Sequence, residues 1–213
     1  MRKTQLVEGE YYHIFNRGVD KREIFSDQLD VQRFFQSMDE FNTLDPIGSI
    51  YENFFRDRKE KNKSKKKLVG FVCFCLNPNH YHFILKQTAE RGIEKFMHRL
   101  GVGYTKYFNK RHERTGVLFQ GAFKSIHIKS NSYLFHLSAY VNLNNRVHAL
   151  GNSVSKSMSS WREYTDKFSE ETFCSEKRVI LGDFKNGDEY RKFAEEMLIS
   201  IKEKKEMEKL LIE

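Results

Sequence analysis

The run Val69-Gly70-Phe71-Val72-Cys73-Phe74-Cys75-Leu76, then Asn77-Pro78-Asn79, then His80-Tyr81-His82-Phe83-Ile84-Leu85-Lys86, decides the fold. Both flanking runs are apolar at odd and even positions alike, the pattern of a strand whose sheet is covered on both faces. Asn-Pro-Asn between them is turn chemistry, so the two runs pair as a hairpin at the centre of a sheet.

Outward from this hairpin, Tyr11-Tyr12-His13-Ile14-Phe15 is a β-branched and aromatic first strand that leaves through Asn16-Arg17-Gly18. From Ser26 onward Leu29, Phe34, Met38 and Phe41 recur near helical spacing, which predicts a helix to about Asn42 with Ser26 or Asp27 as its cap. Gly92 to Asn109 carries Ile93, Phe96, Met97, Leu100, Tyr104 and Tyr107 at spacings of three and four, an amphipathic second helix despite Gly101 and Gly103. Val117-Leu118-Phe119 and Phe123 to Ile128 predict another strand pair bent at Gly116 and Gly121. Asn131 to Asn144 then returns to helical periodicity through Leu134, Leu137 and Val141. The order β-α-β-β-α-β followed by a helix predicts an α+β, ferredoxin-like core with a central antiparallel sheet over residues 1–150. An insertion at about 43–68 ends in the cationic run RDRKEKNKSKKK, residues 56–67. Residues 151–213, with Trp161, Tyr164 and a helical stretch from Phe184 to Ile201, read as a C-terminal helical extension.

The chain has 213 residues, 39% of them hydrophobic, enough for a core without disulfides. A formal net charge of +8 with 14% aromatic residues describes a folded basic protein whose partner is an anion, nucleic acid above all. Cys73, Cys75 and Cys174 are too few and too oddly placed for a disulfide scaffold, which points to a reducing compartment. The opening MRKTQLVEGEYYHIF lacks an apolar signal core and no stretch approaches a membrane span, so the expectation is a soluble intracellular protein with no membrane partner.

His80 and His82 stand two apart on a strand, so both imidazoles leave one face and can converge on a metal ion. Such a pair alone is more often structural; its company singles it out. Tyr140 and Asn144 lie four apart on one face of the later helix, beside the apolar Leu137 and Val141 that pack it on the sheet. Asn144 can supply an oxygen as third ligand, and Tyr140 can aim its hydroxyl at whatever the metal holds. That constellation suits phosphodiester cleavage by a tyrosine: a cation with open positions polarises the phosphate, and the phenol attacks and later serves as leaving group. Candidate phosphate contacts are Arg17, Lys21 and Arg22 after the first strand, Lys106, Lys110, Arg111 and Arg114 at the end of the second helix, and Lys124 and Lys129 near the last strand.

Leu76-Asn77-Pro78-Asn79-His80-Tyr81-His82-Phe83-Ile84-Leu85 resembles the LMPNHYHxL signature of the single-tyrosine HUH transposases, in the branch of REP-associated tyrosine transposases. Four further segments resemble that family's in order. They are Tyr12-His13-Ile14-Phe15-Asn16-Arg17-Gly18, Gly116-Val117-Leu118-Phe119-Gln120-Gly121, Tyr140-Val141-Asn142-Leu143-Asn144, and Ser159-Ser160-Trp161-Arg162-Glu163-Tyr164. The resemblance implies a metal-dependent endonuclease and strand transferase on single-stranded or hairpin DNA, near palindromic repeats, through a 5′-phosphotyrosine intermediate. It implies Tyr140 as nucleophile, His80 and His82 as ligands of Mg²⁺ or Mn²⁺, and Asn144 in the place of a third, polar ligand. The resemblance leaves the oligomeric state open between a dimer, as in the smaller insertion-sequence enzymes that exchange the tyrosine helix, and a monomer, which the helical extension favours. The cellular place implied is the bacterial cytoplasm, at the nucleoid during action. The chain departs from the family at Asn144-Asn145, where a proline usually follows the asparagine, and at Gly121-Ala122, where an arginine usually follows the glycine. The competing reading is a sequence-specific DNA-binding protein that keeps the fold without turnover; the intact His80, His82 and Tyr140 favour the enzyme.

Overall fold

The computed structural model describes residues 5–51, 66–147 and 156–210. The cationic run over 56–67 lies outside the described residues except for Lys66 and Lys67. Strands β1 (Tyr11–Arg17), β2 (Val69–Asn77), β3 (His80–Gln87), β4 (Lys124–His127) and β5 (Met158–Ser159) form one antiparallel sheet in the order β4-β1-β3-β2-β5. The order of the first four is that of the ferredoxin-like β-α-β-β-α-β sheet. The central hairpin pairs as its sequence predicts, Asn77 opposite His80 across the Pro78-Asn79 turn, and every residue of β2 is buried. The turn is clamped from outside: Ile24 and Phe25 donate backbone N–H to the Pro78 carbonyl at 2.7 and 3.0 Å, and Gly18 donates to the Asn79 carbonyl at 2.9 Å.

Helices α1 (Gln28–Glu40) and α2 (Gly92–Arg111) cover one face of the sheet, over a core that includes Tyr12, Ile14, Phe34, Phe71, Phe83, Phe96 and Tyr104. Asp27 rather than Ser26 caps α1, accepting from the Asp30 backbone N–H at 3.1 Å, a contact worth about 1 kcal/mol. The other face is covered by α3 (Asn131–Asn142), the short α4 (Asn144–Val147) and the C-terminal segments α5 (Trp161–Thr165), α6 (Arg178–Leu181) and α7 (Gly187–Leu210). Its core joins Val72, Cys73, Cys75 and Ile84 of the sheet to Leu137, Val141, Tyr164 and Tyr190. The three cysteines are free and buried. Among the described residues no helix is long and apolar enough to cross a membrane.

Three predicted elements differ. Val117-Leu118-Phe119 is not a strand: Gly116 and Gly121 take positive φ of 84° and 69°, and β1 ends at Arg17, so the segment finds only a single bridge from Phe119 to Gly18. The helix predicted to Asn144 ends at Asn142, and Leu143 (φ −107°, ψ 12°) separates it from α4. The break falls between two buried asparagines, poor helix formers whose side chains are engaged by distant elements. The C-terminal segment is mainly helical but also contributes β5, and its long helix starts at Gly187 rather than Phe184. A Cβ at Gly187 would meet the Thr165 carbonyl oxygen at 2.0 Å, so only glycine lets α7 approach α5 so closely.

Candidate active site

Strand register builds the site. Paired residues share a face, so Arg17 opposite His80, Phe15 opposite His82, and Cys75 and Asn77 opposite His82 and His80 all lie on the face under α3. His80 Nδ1 lies 2.6 Å from Asn79 Oδ1, an acceptor, so the ring carries its hydrogen on Nδ1 and Nε2 keeps a lone pair. Nε2 accepts from Asn77 Nδ2 at 2.9 Å, and the same amide nitrogen donates to Asn144 Oδ1 at 2.7 Å. The two acceptors, His80 Nε2 and Asn144 Oδ1, stand 3.1 Å apart. Asn77 thus bridges with two hydrogens a pair of atoms that a cation would draw together.

His82 lies beside His80, with ring centroids 5.2 Å apart at 85°. Its Nδ1 is 2.9 Å from Nε2 of His13, which is 6% exposed. Burial lowers the His13 imidazole to about 4, so it is neutral at physiological pH. A neutral His13 that accepts the Nδ1 hydrogen of His82 leaves His82 Nε2 as the ligating nitrogen, the way an outer partner sets the tautomer of a metal-binding histidine. Tyr140 reaches in from α3 and meets the His82 ring edge-on at 5.6 Å. Partial burial pushes its phenol above the ordinary value, and the adjacent Asn144 amide opposes that rise. Asn144 is fully buried, and among the described residues its Nδ2 makes no hydrogen bond of normal geometry.

The tyrosine helix is held by residues far along the chain. Buried Asn142, two residues after Tyr140, accepts from Ser160 Oγ at 2.6 Å and donates to the Tyr190 hydroxyl at 2.9 Å. Ser160 also accepts from the Phe74 backbone N–H at 2.9 Å, and the Tyr164 hydroxyl donates to the Val72 carbonyl at 2.8 Å. The C-terminal segment therefore fixes α3 against β2 and, with it, the position of Tyr140.

Of the predicted site residues, His80, His82, Tyr140 and Asn144 come together. No cluster of three or more His, Cys, Asp or Glu side chains suited to a metal ion occurs among the described residues, so a cation here would need the Asn144 oxygen beside the two imidazoles. Two nitrogens and an amide oxygen form a donor set that suits divalent first-row metals and leaves room for phosphate oxygens. Asn144 fits that part: Oδ1 already faces His80 Nε2.

Arg17 and Lys124 share this face. Arg17 is exposed and hydrogen-bonded to Gln120, and Lys124 extends over the Phe15 ring, 6.0 Å from its centroid. Lys21 and Arg22 lie in the turn after β1, whose Lys21 carbonyl accepts from Asn79 at 3.2 Å. Lys110 and Lys129 are exposed, and Lys106 is exposed on α2, which covers the opposite face of the sheet. Arg111 and Arg114 are engaged within the protein. Arg111 clasps Asp27 at 2.6 Å and the fully buried Asp30 at 2.5 Å, because a buried carboxylate demands a cation; Arg114 bonds Asn109 and the Val117 carbonyl. Sequence reading missed His13, Asn77, Asn142, Ser160 and Tyr190. His13 alternates with Phe15 and Arg17 in β1, a signal that becomes readable only once the register with β3 is known.

No match was found among curated proteins. A solved REP-associated tyrosine transposase bound to a REP hairpin has a similar fold, with a TM-score of 0.54 at 11% sequence identity over 82% of this chain and 89% of that one. A family model described as transposase, IS200-like, matches residues 7–144, which span all five of the side chains His13, His80, His82, Tyr140 and Asn144. With well over half of its length matched, the chain belongs to the IS200-like transposase family.

Proposed function

We propose that this transposase is a metal-dependent single-strand DNA endonuclease and strand transferase that cleaves at or near palindromic hairpin repeats through a 5′-phosphotyrosine intermediate. The observation that carries the reading is the convergence of Tyr140 and Asn144 on the His80–His82 pair. Hairpin DNA is the proposed substrate because the solved relative holds a REP hairpin and because exposed Arg17 and Lys124 flank the histidines on the same face.

His80 Nε2, His82 Nε2 and Asn144 Oδ1 would hold Mg²⁺ or Mn²⁺, and two imidazoles would equally accept zinc. Bound there, such a cation would supply polarisation of the phosphate and offset the charge that develops in transfer. His13 keeps the Nδ1 hydrogen of His82 engaged, so that Nε2 is the nitrogen presented to the site. Tyr140 attacks phosphorus: the bond from its phenolic oxygen to phosphorus forms, the bond from phosphorus to the 3′ oxygen breaks, and the departing strand end takes up a proton as a free 3′ hydroxyl. Asn144 Nδ2, buried and without a hydrogen bond of normal geometry among the described residues, is the donor beside the phenolic oxygen as it ionises. The phosphotyrosine bond conserves the energy of the cut strand, so reversal by another 3′ hydroxyl rejoins DNA without ATP.

The test is incubation of the purified chain with 5′- and 3′-labelled hairpin DNA and Mg²⁺ or Mn²⁺, resolved on a denaturing gel beside Tyr140→Phe. The expected result is a protein-linked product carrying the strand downstream of the nick, absent with Tyr140→Phe or EDTA. Cleavage that survives in Tyr140→Phe would show the nucleophile to be another group. Equal hairpin binding by both proteins with no cleavage of a broad panel would favour a DNA-binding protein without turnover.

A further inference from the structure

On the histidine face, α3 packs on β2 and β3 at the centre of the sheet, and part of β1 and β4 stays open to solvent beside it. This open strip carries apolar groups. The Phe15 ring is half-buried, and Ile126, opposite His13 in the ladder and so on the same face, is 44% exposed. Phe15 stacks on the His82 ring with centroids 5.7 Å apart at 24° and leans on the His13 ring at 4.9 Å, so two imidazoles set its plane. Cations stand on either side: Lys124 lies opposite Phe15 in the ladder, Arg17 follows it by two residues in β1, and both are exposed.

The direction of the chemistry supplies an occupant. In phosphoryl transfer the attacking and leaving oxygens lie roughly in line, on opposite sides of phosphorus. Tyr140 descends from α3 and meets the His82 ring edge-on, from the side of β2. Phe15 meets the same ring from β1, across β3 in the strand order β4-β1-β3-β2-β5. On the proposed function, a phosphate held at the histidines and attacked by Tyr140 releases its 3′ oxygen towards Phe15.

We propose that Phe15 stacks on the base of the nucleotide that carries the leaving 3′ oxygen and so keeps the cut 3′ end in place for rejoining, an inference that rests on the function proposed above. The ring abuts His82, so a base stacked on it belongs to the nucleotide next to the scissile phosphate. Ile126 extends the apolar surface under that base, and Lys124 and Arg17 meet the phosphates farther along the departing strand. Every base has a flat π face, so the contact holds the strand without reading its sequence. Rejoining reverses cleavage and needs the 3′ hydroxyl still beside the phosphotyrosine, which a free strand end would leave.

The experiment is a coupling cycle between the ring and the base, read as affinity by fluorescence anisotropy. Its DNA is a hairpin that the wild type nicks, intact or with an abasic site immediately 5′ or immediately 3′ of the nick, and Tyr140→Phe is the background so that no cutting intervenes. Phe15→Ala and the 5′ abasic site are each expected to weaken binding by about tenfold, the scale of a lost stacked base, and together to weaken it no further. On DNA with the 3′ abasic site, Phe15→Ala keeps its full effect. Phe15→Tyr binds as the parent does, and Phe15→Leu, which fills the space without a flat ring, shows the same loss of coupling should the alanine variant not fold. With Tyr140 restored, the cut 3′ strand leaves Phe15→Ala faster than the wild type. Losses that simply add, or coupling to the 3′ abasic site instead, overturn the inference and leave the proposed function standing. Mn²⁺ affinity in Phe15→Ala should stay within about twofold of the wild type by calorimetry; a 10–100-fold loss, the range for a missing outer partner of a metal ligand, would make Phe15 a prop for His82 and overturn the inference. A wild type that nicks no hairpin, or nicking that survives Tyr140→Phe, overturns the proposed function and this inference with it.

Discussion

Replacing His13 by alanine removes a buried side chain that, on the proposed function, holds the proposed metal ligand His82 in its ligating tautomer. His13 is 6% exposed and its Nε2 stands 2.9 Å from His82 Nδ1. Alanine leaves that nitrogen without its partner, and leaving one buried polar group unpaired costs roughly 1–3 kcal/mol. The larger consequence is at the far nitrogen. With Nδ1 unheld, the His82 ring loses both its orientation and its preference for the tautomer that exposes Nε2, and loss of such an outer partner weakens metal affinity by roughly 10–100-fold. The assay is Mn²⁺ titration by calorimetry at about pH 7.5, where His13, lowered to about 4 by burial, is neutral. Thermal unfolding in parallel separates lost stability from lost affinity. His13→Gln, whose amide oxygen can accept the same hydrogen, should recover most of the affinity, whereas a merely space-filling role would be met better by His13→Leu. Mn²⁺ affinity in folded His13→Ala within about twofold of the wild type would refute the reasoning, given the 10–100-fold expected.

Two other perturbations follow from the geometry. Burial raises the Tyr140 phenol, so the deprotonated fraction grows with pH and the single-turnover nicking rate should climb from about pH 6 to about pH 9, by up to about tenfold per unit; a flat profile would exclude phenol deprotonation before or during the slow step. Arg111→Ala strips the fully buried Asp30 of its guanidinium, leaving the Ser26 N–H and His112 as partners. Because Arg111 is 27% exposed and water can partly replace it, the expected result in urea unfolding is a lower midpoint than the wild type's. An unchanged midpoint would place the pair with ordinary surface bridges.

Elements whose pattern is local were legible in the sequence. The hairpin from Val69 to Lys86 announces itself by apolar residues at both parities around Asn-Pro-Asn, and α1 and α2 by spacings of three and four. The same period of two that makes a strand puts His80 and His82 on one face, so that half of the site needed no knowledge of the fold. Val117-Leu118-Phe119 had the composition of a strand but no partner edge to pair with, and partner availability is not a local property.

Whatever depends on which distant segment arrives opposite was decided by tertiary structure alone. The register of β1 on β3 brings His13 to His82 across 69 positions, and the seating of α4 brings Asn144 to Asn77 across 67. A shift of one residue in β1 would have turned His13 to the other face, and nothing in the pattern of either strand by itself fixes that shift. The helix break at Leu143 and the clamp of Ser160 and Tyr190 on Asn142 follow the same rule. Periodicity along the chain says which face a side chain takes, but only packing between segments says what it meets there.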